Sequence, residues 1–316
     1  MRTFTFLSQI TGLFLLITTG ANSQNISSLH NQDNHDLAKR VVITSPTLDQ
    51  LHAIQNAGLD LHCGAKFEGE NLRLDLQHSE ALILQNLGLQ FEVIEEDLVS
   101  FFAERAAATL PQARINLEQM KQEALIEQQN RNSLSTGDAT IESFIQREAC
   151  DEVDWVSQNF RLGGFNEPGV SFGGCLTVDE VNIELDRMRS LFPNLISVRT
   201  DASPTGQQTY GNTTGPTADR FDPQTIWYVR ISDNPDSDEA GEPESLITGM
   251  THAREVNSMM NIIYYMWWVL ENYDTEPAVK NLVDNQELYF IPIVNPDGVR
   301  WNQAITPNGG GFQRKN

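Results

Sequence analysis

Basic residues are scarce in this chain. Its 316 residues include 21 Lys and Arg against 43 Asp and Glu, which gives a formal net charge of −22. A strongly acidic protein repels the phosphate backbones of DNA and RNA. The composition therefore argues against nucleic acid as a partner, and it carries little information about the fold.

Long hydrophobic runs are also missing. The apolar stretch from Ile10 to Ile17 is well short of the about 20 residues that a membrane-spanning helix needs, and no other segment is long and apolar enough. Arg2 precedes this stretch and the small-x-small pattern Ala21-Asn22-Ser23 follows it. These features predict a signal peptide over residues 1–23, cleaved after Ser23. A membrane anchor is the alternative, but the stretch is too short for one. We expect a secreted protein, extracellular or periplasmic, with no membrane span in the mature chain.

Cysteine is rare, and no CxxC pair is present. The three cysteines are Cys63, Cys150 and Cys175. Without paired spacing they do not predict a cysteine-based zinc cluster. An exported protein can keep disulfides, and Cys150 and Cys175 flank a Gly-rich segment, so these two form the candidate pair. Cys63 is then expected to be a buried free thiol.

The N-terminal third predicts a small α/β module. After a polar tail over residues 24–38, residues 39–105 show a β-branched strand, a helix, two alternating strands, a second helix and a last strand. Ser45 and Pro46 are the expected N-cap and first residue of the first helix, and Ser79 is the expected cap of the second. The predicted strands lie at 40–44, 59–63, 72–76 and 91–93. The order βαββαβ is that of a ferredoxin-like domain.

Residues 106–170 are predicted to connect this module to a second domain. Leu117, Met120 and Leu125 stand among Gln and Glu residues and indicate a surface helix. The stretch RNSLSTGDAT that follows is typical of an exposed linker, where proteolysis is easiest.

Residues 171–316 alternate between strand and helix patterns. The stretch Thr177 to Glu180 is a capping box that begins a helix, and Pro193 ends it. Strands are predicted at 225–232, 244–250 and 288–294, and the second of these is apolar enough to be buried on both faces. Val256 to Leu270 predicts a helix that is apolar nearly all round and hence buried. This pattern favours an α/β fold with a mixed or parallel sheet.

One histidine and one glutamate stand at the turn between the second strand and this helix. His252 and Glu255 occupy the sequence LITGMTHAREVNS. A strand-to-helix turn can bring an imidazole and a carboxylate to about 2 Å from one zinc ion. The pair could also arise by chance, with Glu255 serving only as an acidic residue at a helix start. The spacing alone does not decide between a zinc site and this simpler role.

The surrounding motifs resemble those of the zinc carboxypeptidases of the carboxypeptidase A/B family. The resemblance rests on His252, Arg254 and Glu255 as an H-x-R-E motif, on Asn295 to Gly298 as an N-P-[DN]-G motif, and on Arg314-Lys315. It extends to residues 176–198 and to the βαββαβ segment, which is similar to the propeptide of that family. It implies an incomplete, mixed-sheet catalytic domain preceded by a ferredoxin-like propeptide domain.

The resemblance also implies roles for single residues. Carboxypeptidase A is a standard example of a His₂Glu catalytic zinc site, so His252 and Glu255 would be two of three zinc ligands. Arg314 would be catalytic, stabilising the oxyanion while binding substrate, and Arg254 would line the substrate cleft. Both arginines could equally be solvated surface charges. Asn295 to Gly298 is expected to be a structural turn, in which Asp297 orients its neighbours.

The third zinc ligand is expected outside the given sequence. Of the six histidines, five precede residue 79 and none follows His252. By resemblance, a second histidine and the glutamate that acts as general base would lie beyond residue 316. We therefore expect a fragment of a secreted zymogen that hydrolyses C-terminal peptide bonds of peptides or proteins, with its own propeptide as intramolecular inhibitor. The alternatives are a non-catalytic remnant or binding module, and an amidase or cell-wall peptidase on the same scaffold.

Overall fold

The computed structural model describes residues 38–59, 61, 65–134, 155–166, 173–214, 220–305 and 311–314. The chain divides into two compact units, Met1–Asp36 and Leu37–Asn316, and the first lies outside the described residues. The predicted signal peptide and most of the polar tail fall there. No helix among the described residues is long and apolar enough to cross a membrane.

The first part of the second unit is a four-stranded antiparallel sheet with two helices. The elements are β1 (Lys39–Ile43), α1 (Leu48–Asn56), β2 (Ala65–Glu68), β3 (Asn71–Leu76), α2 (His78–Asn86) and β4 (Glu92–Glu95). The strand order is β2-β3-β1-β4, which is the ferredoxin-like arrangement that the sequence predicts. Val41, Ile54, Leu72 and Leu84 are fully buried in a single hydrophobic cluster, so the alternating strands and the helices share one core.

Three local expectations in this module are wrong. Helix α1 is capped by Thr47 instead of Ser45, because the Thr47 hydroxyl accepts from the backbone of Gln50 and forms a capping box, whereas Ser45 has a positive φ of 40°. Helix α2 is capped by Gln77, two residues before Ser79. Strand β2 lies at 65–68 instead of 59–63, because the Gly69-Glu70 turn brings residues 65–68 into register with β3.

The predicted surface helix is present and longer than expected. Helix α3 spans Leu98–Leu134, 37 residues with Pro111 inside, so it begins within the expected 39–105 module. Its side chains reach the following part of the chain, where Arg114 donates to the backbone oxygen of Gly163. The RNSLSTGDAT linker falls largely outside the described residues.

The second part is an α/β arrangement around a mixed sheet. Its strands are β5 (Thr200–Asp201), β6 (Trp227–Ile231), β7 (Glu244–Thr248) and β8 (Glu287–Ile291), in the order β5-β6-β8-β7. Strands β7 and β8 pair in parallel, and the other neighbours pair antiparallel. The helices are α4 (Val178–Leu191), α5 (Val256–Asn272), α6 (Pro277–Val283) and α7 (Pro296–Ile305). The expected mixed α/β sheet is therefore confirmed.

Strand β7 and helix α5 bracket the H-x-R-E motif and differ in burial. Helix α5 is buried as expected, with Ile263 and Trp267 fully inaccessible in the core. The expectation that β7 is buried on both faces is wrong, because its burial alternates and Leu246 is 66% exposed. Among the described strands β7 pairs only with β8, and one of its faces is left open.

The start of α4 is organised by one buried carboxylate. Glu180 is 1% exposed and closes the expected capping box, its Oε2 accepting from the Thr177 N–H at 3.0 Å. Its Oε1 accepts from the N–H groups of Gly164, Phe165 and Asn166 at 2.7, 2.7 and 3.1 Å. One side chain thus attaches the loop at 164–166 to the beginning of the helix.

Candidate metal centre

The parallel pairing of β7 and β8 continues beyond both strands and positions the H-x-R-E turn. The Gly249 N–H donates to the Ile291 oxygen at 3.0 Å, and the Asn295 N–H donates to the Met250 oxygen at 3.1 Å. A Cβ at Gly249 would lie 2.9 Å from the oxygen of Pro292, so only glycine permits this approach. As a result, the segment at 250–255 lies beside the start of α7, at the carboxyl ends of two parallel strands.

His252 and Glu255 converge at this turn. His252 Nδ1 lies 2.9 Å from Glu255 Oε1, and the two side chains are 28% and 41% exposed. Glu255 is the residue before α5, but its carboxylate makes no capping hydrogen bond. It faces the imidazole instead of the helix amides, which disfavours the simpler role of a helix-start acid.

The separation of these atoms fits two ligands of one ion. Two ligands at about 2 Å from a tetrahedral zinc lie about 3.3 Å apart, slightly farther apart than the two atoms here. A small movement of either side chain would therefore admit the ion. In the described part of the chain, the groups of three His, Cys, Asp or Glu side chains with ligand atoms close to one another lie elsewhere, at Asp233/Glu239/Glu242 and at Asp238/Glu244/Glu287.

Arg314 is brought beside the same turn through its backbone. The Ala253 N–H donates to the Arg314 oxygen at 3.0 Å, which places Arg314 next to the residue between His252 and Arg254. Both Arg254 and Arg314 are partly buried. The structure thus gathers His252, Arg254, Glu255 and Arg314 in one region, whereas Lys315 lies outside the described residues.

Asn295 to Gly298 form the start of a helix instead of a turn. Pro296 is the first residue of α7, and Asn295 Oδ1 caps this end by accepting from the Gly298 N–H at 2.8 Å. Asp297 accepts from the Thr209 hydroxyl at 2.6 Å and from the Gly211 N–H at 2.9 Å. The expected orienting role of Asp297 agrees with these contacts, because it holds the loop at 209–211 in place.

Sequence reasoning missed Asn302, which joins the two segments of the site. Its Nδ2 donates to the oxygens of Ala253 and Gln313, and its Oδ1 accepts from the Gln313 N–H. The residue is 1% exposed. Asn302 lies on α7 seven residues after the capping Asn295, and so on the same side of the helix. A helix prediction over 296–305 would have revealed this buried amide.

Cys175 is the one cysteine within the described residues, and its thiol is free there. Burial raises the pKa of this thiol to about 11, which favours the protonated form of a free thiol at neutral pH. Cys63 and Cys150 lie outside the described residues. The pairing of Cys150 with Cys175 and the free thiol of Cys63 therefore remain predictions.

The region that carries the candidate metal centre is similar to known zinc carboxypeptidases. Residues 221–316 match the family model Peptidase_M14, zinc carboxypeptidase. A zinc carboxypeptidase of Saccharothrix mutabilis subsp. capreolus is 31% identical over 159 residues, covering 50% of this chain and 32% of that protein. Human carboxypeptidase D is 37% identical over 81 residues, covering 25% of this chain and 6% of that protein. The chain thus spans about a third or less of the length of these relatives.

The crystal structure of carboxypeptidase A from Helicoverpa armigera aligns with 90% of this chain and 54% of that chain, at 16% identity and a TM-score of 0.46. The class defined by the matched region is that of the zinc carboxypeptidases. Residues 221–316, which carry His252, Glu255 and Arg314, are similar to that family, so the resemblance predicted from the sequence is confirmed. Zinc is the cofactor that this family implies.

Proposed function

We propose that the complete protein is an exported zinc metallocarboxypeptidase that hydrolyses the C-terminal peptide bond of peptides or proteins. The observation that carries this proposal is the approach of His252 Nδ1 to Glu255 Oε1, at 2.9 Å, within the region that matches the zinc carboxypeptidase model. Export rests on the predicted signal peptide alone.

In this proposal each residue of the candidate site has a separate role in the reaction. His252 and Glu255 hold the metal, which when bound supplies Lewis-acid chemistry to the scissile bond. The guanidinium of Arg314 stabilises the negative charge that develops on the carbonyl oxygen. Arg254 lines the cleft and favours a negatively charged substrate terminus. This proposal assigns two protein ligands, and a catalytic zinc site needs a third.

The ferredoxin-like module is proposed to act as the propeptide. Gln77, at the start of α2, donates to the Phe312 oxygen at 3.2 Å and to Gln313 Oε1 at 3.4 Å. The rings of Phe102 and Phe312 lie 6.0 Å apart. The module therefore contacts the residues directly before Arg314, and from this position it would restrict access to the cleft until the linker is cut.

The test is expression of the complete reading frame, followed by removal of the module by proteolysis. We expect release of C-terminal residues that stops with a chelator and returns with zinc. His252→Gln should abolish zinc binding and activity together, whereas Asp274→Asn, at an exposed position after α5 that is kept when the module is removed, should change neither. A processed protein that binds zinc without releasing C-terminal residues would contradict the reaction. Release that persists after zinc removal would contradict the metal role.

A further inference from the structure

Asn302 uses the hydrogen-bonding groups of its side chain on two separate pieces of backbone. Nδ2 donates to the oxygens of Ala253 and Gln313 at 3.1 and 3.0 Å, and Oδ1 accepts from the Gln313 N–H at 2.8 Å. A primary amide offers two donors and an acceptor in one plane. Aspartate lacks the donors and leucine lacks both kinds of group, so neither can replace all three bonds.

The two pieces of backbone carry the groups of the candidate site. Ala253 is flanked by His252 and Arg254, and Gln313 precedes Arg314. The backbone also passes very near the side chain, because a Cβ at Gly311 would lie 2.5 Å from Asn302 Oδ1 and 2.9 Å from Asn302 Cα. Glycine at 311 therefore permits the segment to lie against α7.

We propose that Asn302 is a positioning residue that fixes the separation between the metal-binding turn and Arg314. This inference rests on the proposed function. Asn302 is buried and bonded to backbone, so it acts through its neighbours. Stabilisation of a developing charge depends steeply on distance, and a misplacement of about 1 Å can lower the rate about 10²-fold. A side chain that holds both segments at once is suited to setting that distance.

The test is a double-mutant cycle in the protein that is expressed from the complete reading frame and then freed of the module. Asn302→Ala should lower kcat about 10- to 100-fold, with a much smaller change in KM. In an Arg314→Ala background the same substitution should lower kcat less than about twofold, because residues that act as a unit are not additive. Asn302→Asp retains the acceptor and the side-chain volume, and serves as the second variant should the alanine variant fail to fold.

A matched control separates positioning from stability. Asn272 is also buried, and its Nδ2 donates to the Trp268 oxygen at 2.8 Å, at the other end of α5. Asn272→Ala should lower the melting temperature, and any effect on kcat should be unchanged by Arg314→Ala. An equal loss of kcat from Asn302→Ala with and without Arg314 would show that Asn302 is merely structural and would overturn the proposal.

Hydrogen exchange gives a readout that does not require activity. In Asn302→Ala, the amides of Ala253 and Gln313 should exchange faster than in the parent protein, whereas those of α4 should not. In Asn302→Asp, which keeps the acceptor of the Gln313 N–H, the faster exchange is expected at Ala253. Unchanged protection at both amides would overturn the proposal. A parent protein that shows this protection but no zinc-dependent peptidase activity would refute the proposed function and the positioning role that rests on it, while leaving the contact itself intact.

Discussion

The backbone N–H of Ala253 donates a hydrogen bond of 3.0 Å to the backbone oxygen of Arg314. This bond joins two motifs that are far apart in the chain. The segment that carries Arg314 contacts the H-x-R-E turn on one side, and Gln77 of the ferredoxin-like module on the other. The position of Arg314 is therefore set by backbone contacts that the sequence motif does not reveal.

Gly298 permits the close approach of α7 to the H-x-R-E turn. A Cβ at this position would lie 2.6 Å from Ala253 Cβ and 2.9 Å from both terminal atoms of Asn295. Gly298→Ala should therefore lower the free energy of unfolding by about 1–3 kcal/mol and weaken zinc binding, because the turn must move. Urea unfolding and zinc competition with a chelator measure the two effects.

Gly88 offers a control of a different kind. It has a φ of +69°, and a Cβ added there would meet no atom within 4 Å, so Gly88→Ala strains only its own backbone. A loss of about 1 kcal/mol is expected from the left-handed conformation, with zinc affinity unchanged. Equal zinc affinities in both variants would show that Gly298 has no influence on the metal centre.

Arg314 is expected to act on the reaction and not on the metal. Arg314→Ala should lower kcat about 10²–10³-fold, as does the loss of other oxyanion donors. Arg314→Lys should recover only part of this, because an ammonium lacks the planar fork of guanidinium. Zinc content, measured by atomic absorption, should stay the same. Arg199→Ala, which removes a surface ion pair with Asp186, is the control and should leave kcat unaltered.

Glu242 should destabilise the protein at neutral pH. Partial desolvation of its carboxyl, followed by the negative charges of Glu239 and Asp233, raises its pKa above the ordinary value of 4.5. The folded protein therefore binds this proton more tightly than the unfolded chain. The resulting loss of folding stability is complete above the raised pKa of the folded state, and it disappears below the pKa of the unfolded chain. Glu242→Gln should thus raise the melting temperature at pH 7, and the gain should vanish as the pH falls below about 4.

Glu104→Gln provides the comparison for this pH dependence. Glu104 is exposed on α3, and its replacement removes the same charge without relieving the crowded carboxylates. We expect no comparable gain in melting temperature at pH 7. Thermal unfolding of both variants across pH 3–8 tests this, and an identical profile for the two would argue that general charge reduction explains the gain.

Gln77 should contribute to latency if the module is the propeptide. Gln77→Ala removes the hydrogen bonds to Phe312 and Gln313, which at about 1 kcal/mol would raise the residual activity of the uncut protein about fivefold. Gln55→Ala, at an exposed position of α1, should have no effect. Activity of the protein before and after linker cleavage gives the comparison, and equal latency in all variants would refute a role for this contact.

The sequence predicts best those features that local chemistry determines. The capping box from Thr177 to Glu180 begins α4 as expected, and the apolar pattern of α5 predicts its burial. The burial of strand β7 is mispredicted because apolar content does not reveal whether another element packs against each of its faces. The cap of α1 is mispredicted for a different reason. Ser45 and Thr47 both have a side-chain oxygen that could cap the helix, and the backbone conformation selects Thr47.

The metal ligands of the candidate site can be predicted from the sequence, but the buried residues that position them cannot. His252 and Glu255 lie close in sequence, so a short turn suffices to bring them together. Asn302 acts through contacts with residues at 253 and 313, and such a set depends on how α7 packs. No local pattern distinguishes a buried amide of this kind from a solvated asparagine until the helix is recognised.

Glu180 makes the order of the loop at 164–166 dependent on the helix that follows it. Its two oxygens serve the loop and the first turn of α4 simultaneously, so unfolding of the helix start would also remove the acceptor of the loop amides. The two segments should then open to solvent in a single event and exchange their amide hydrogens at a common rate. A loop without regular structure thereby acquires the local stability of a helix.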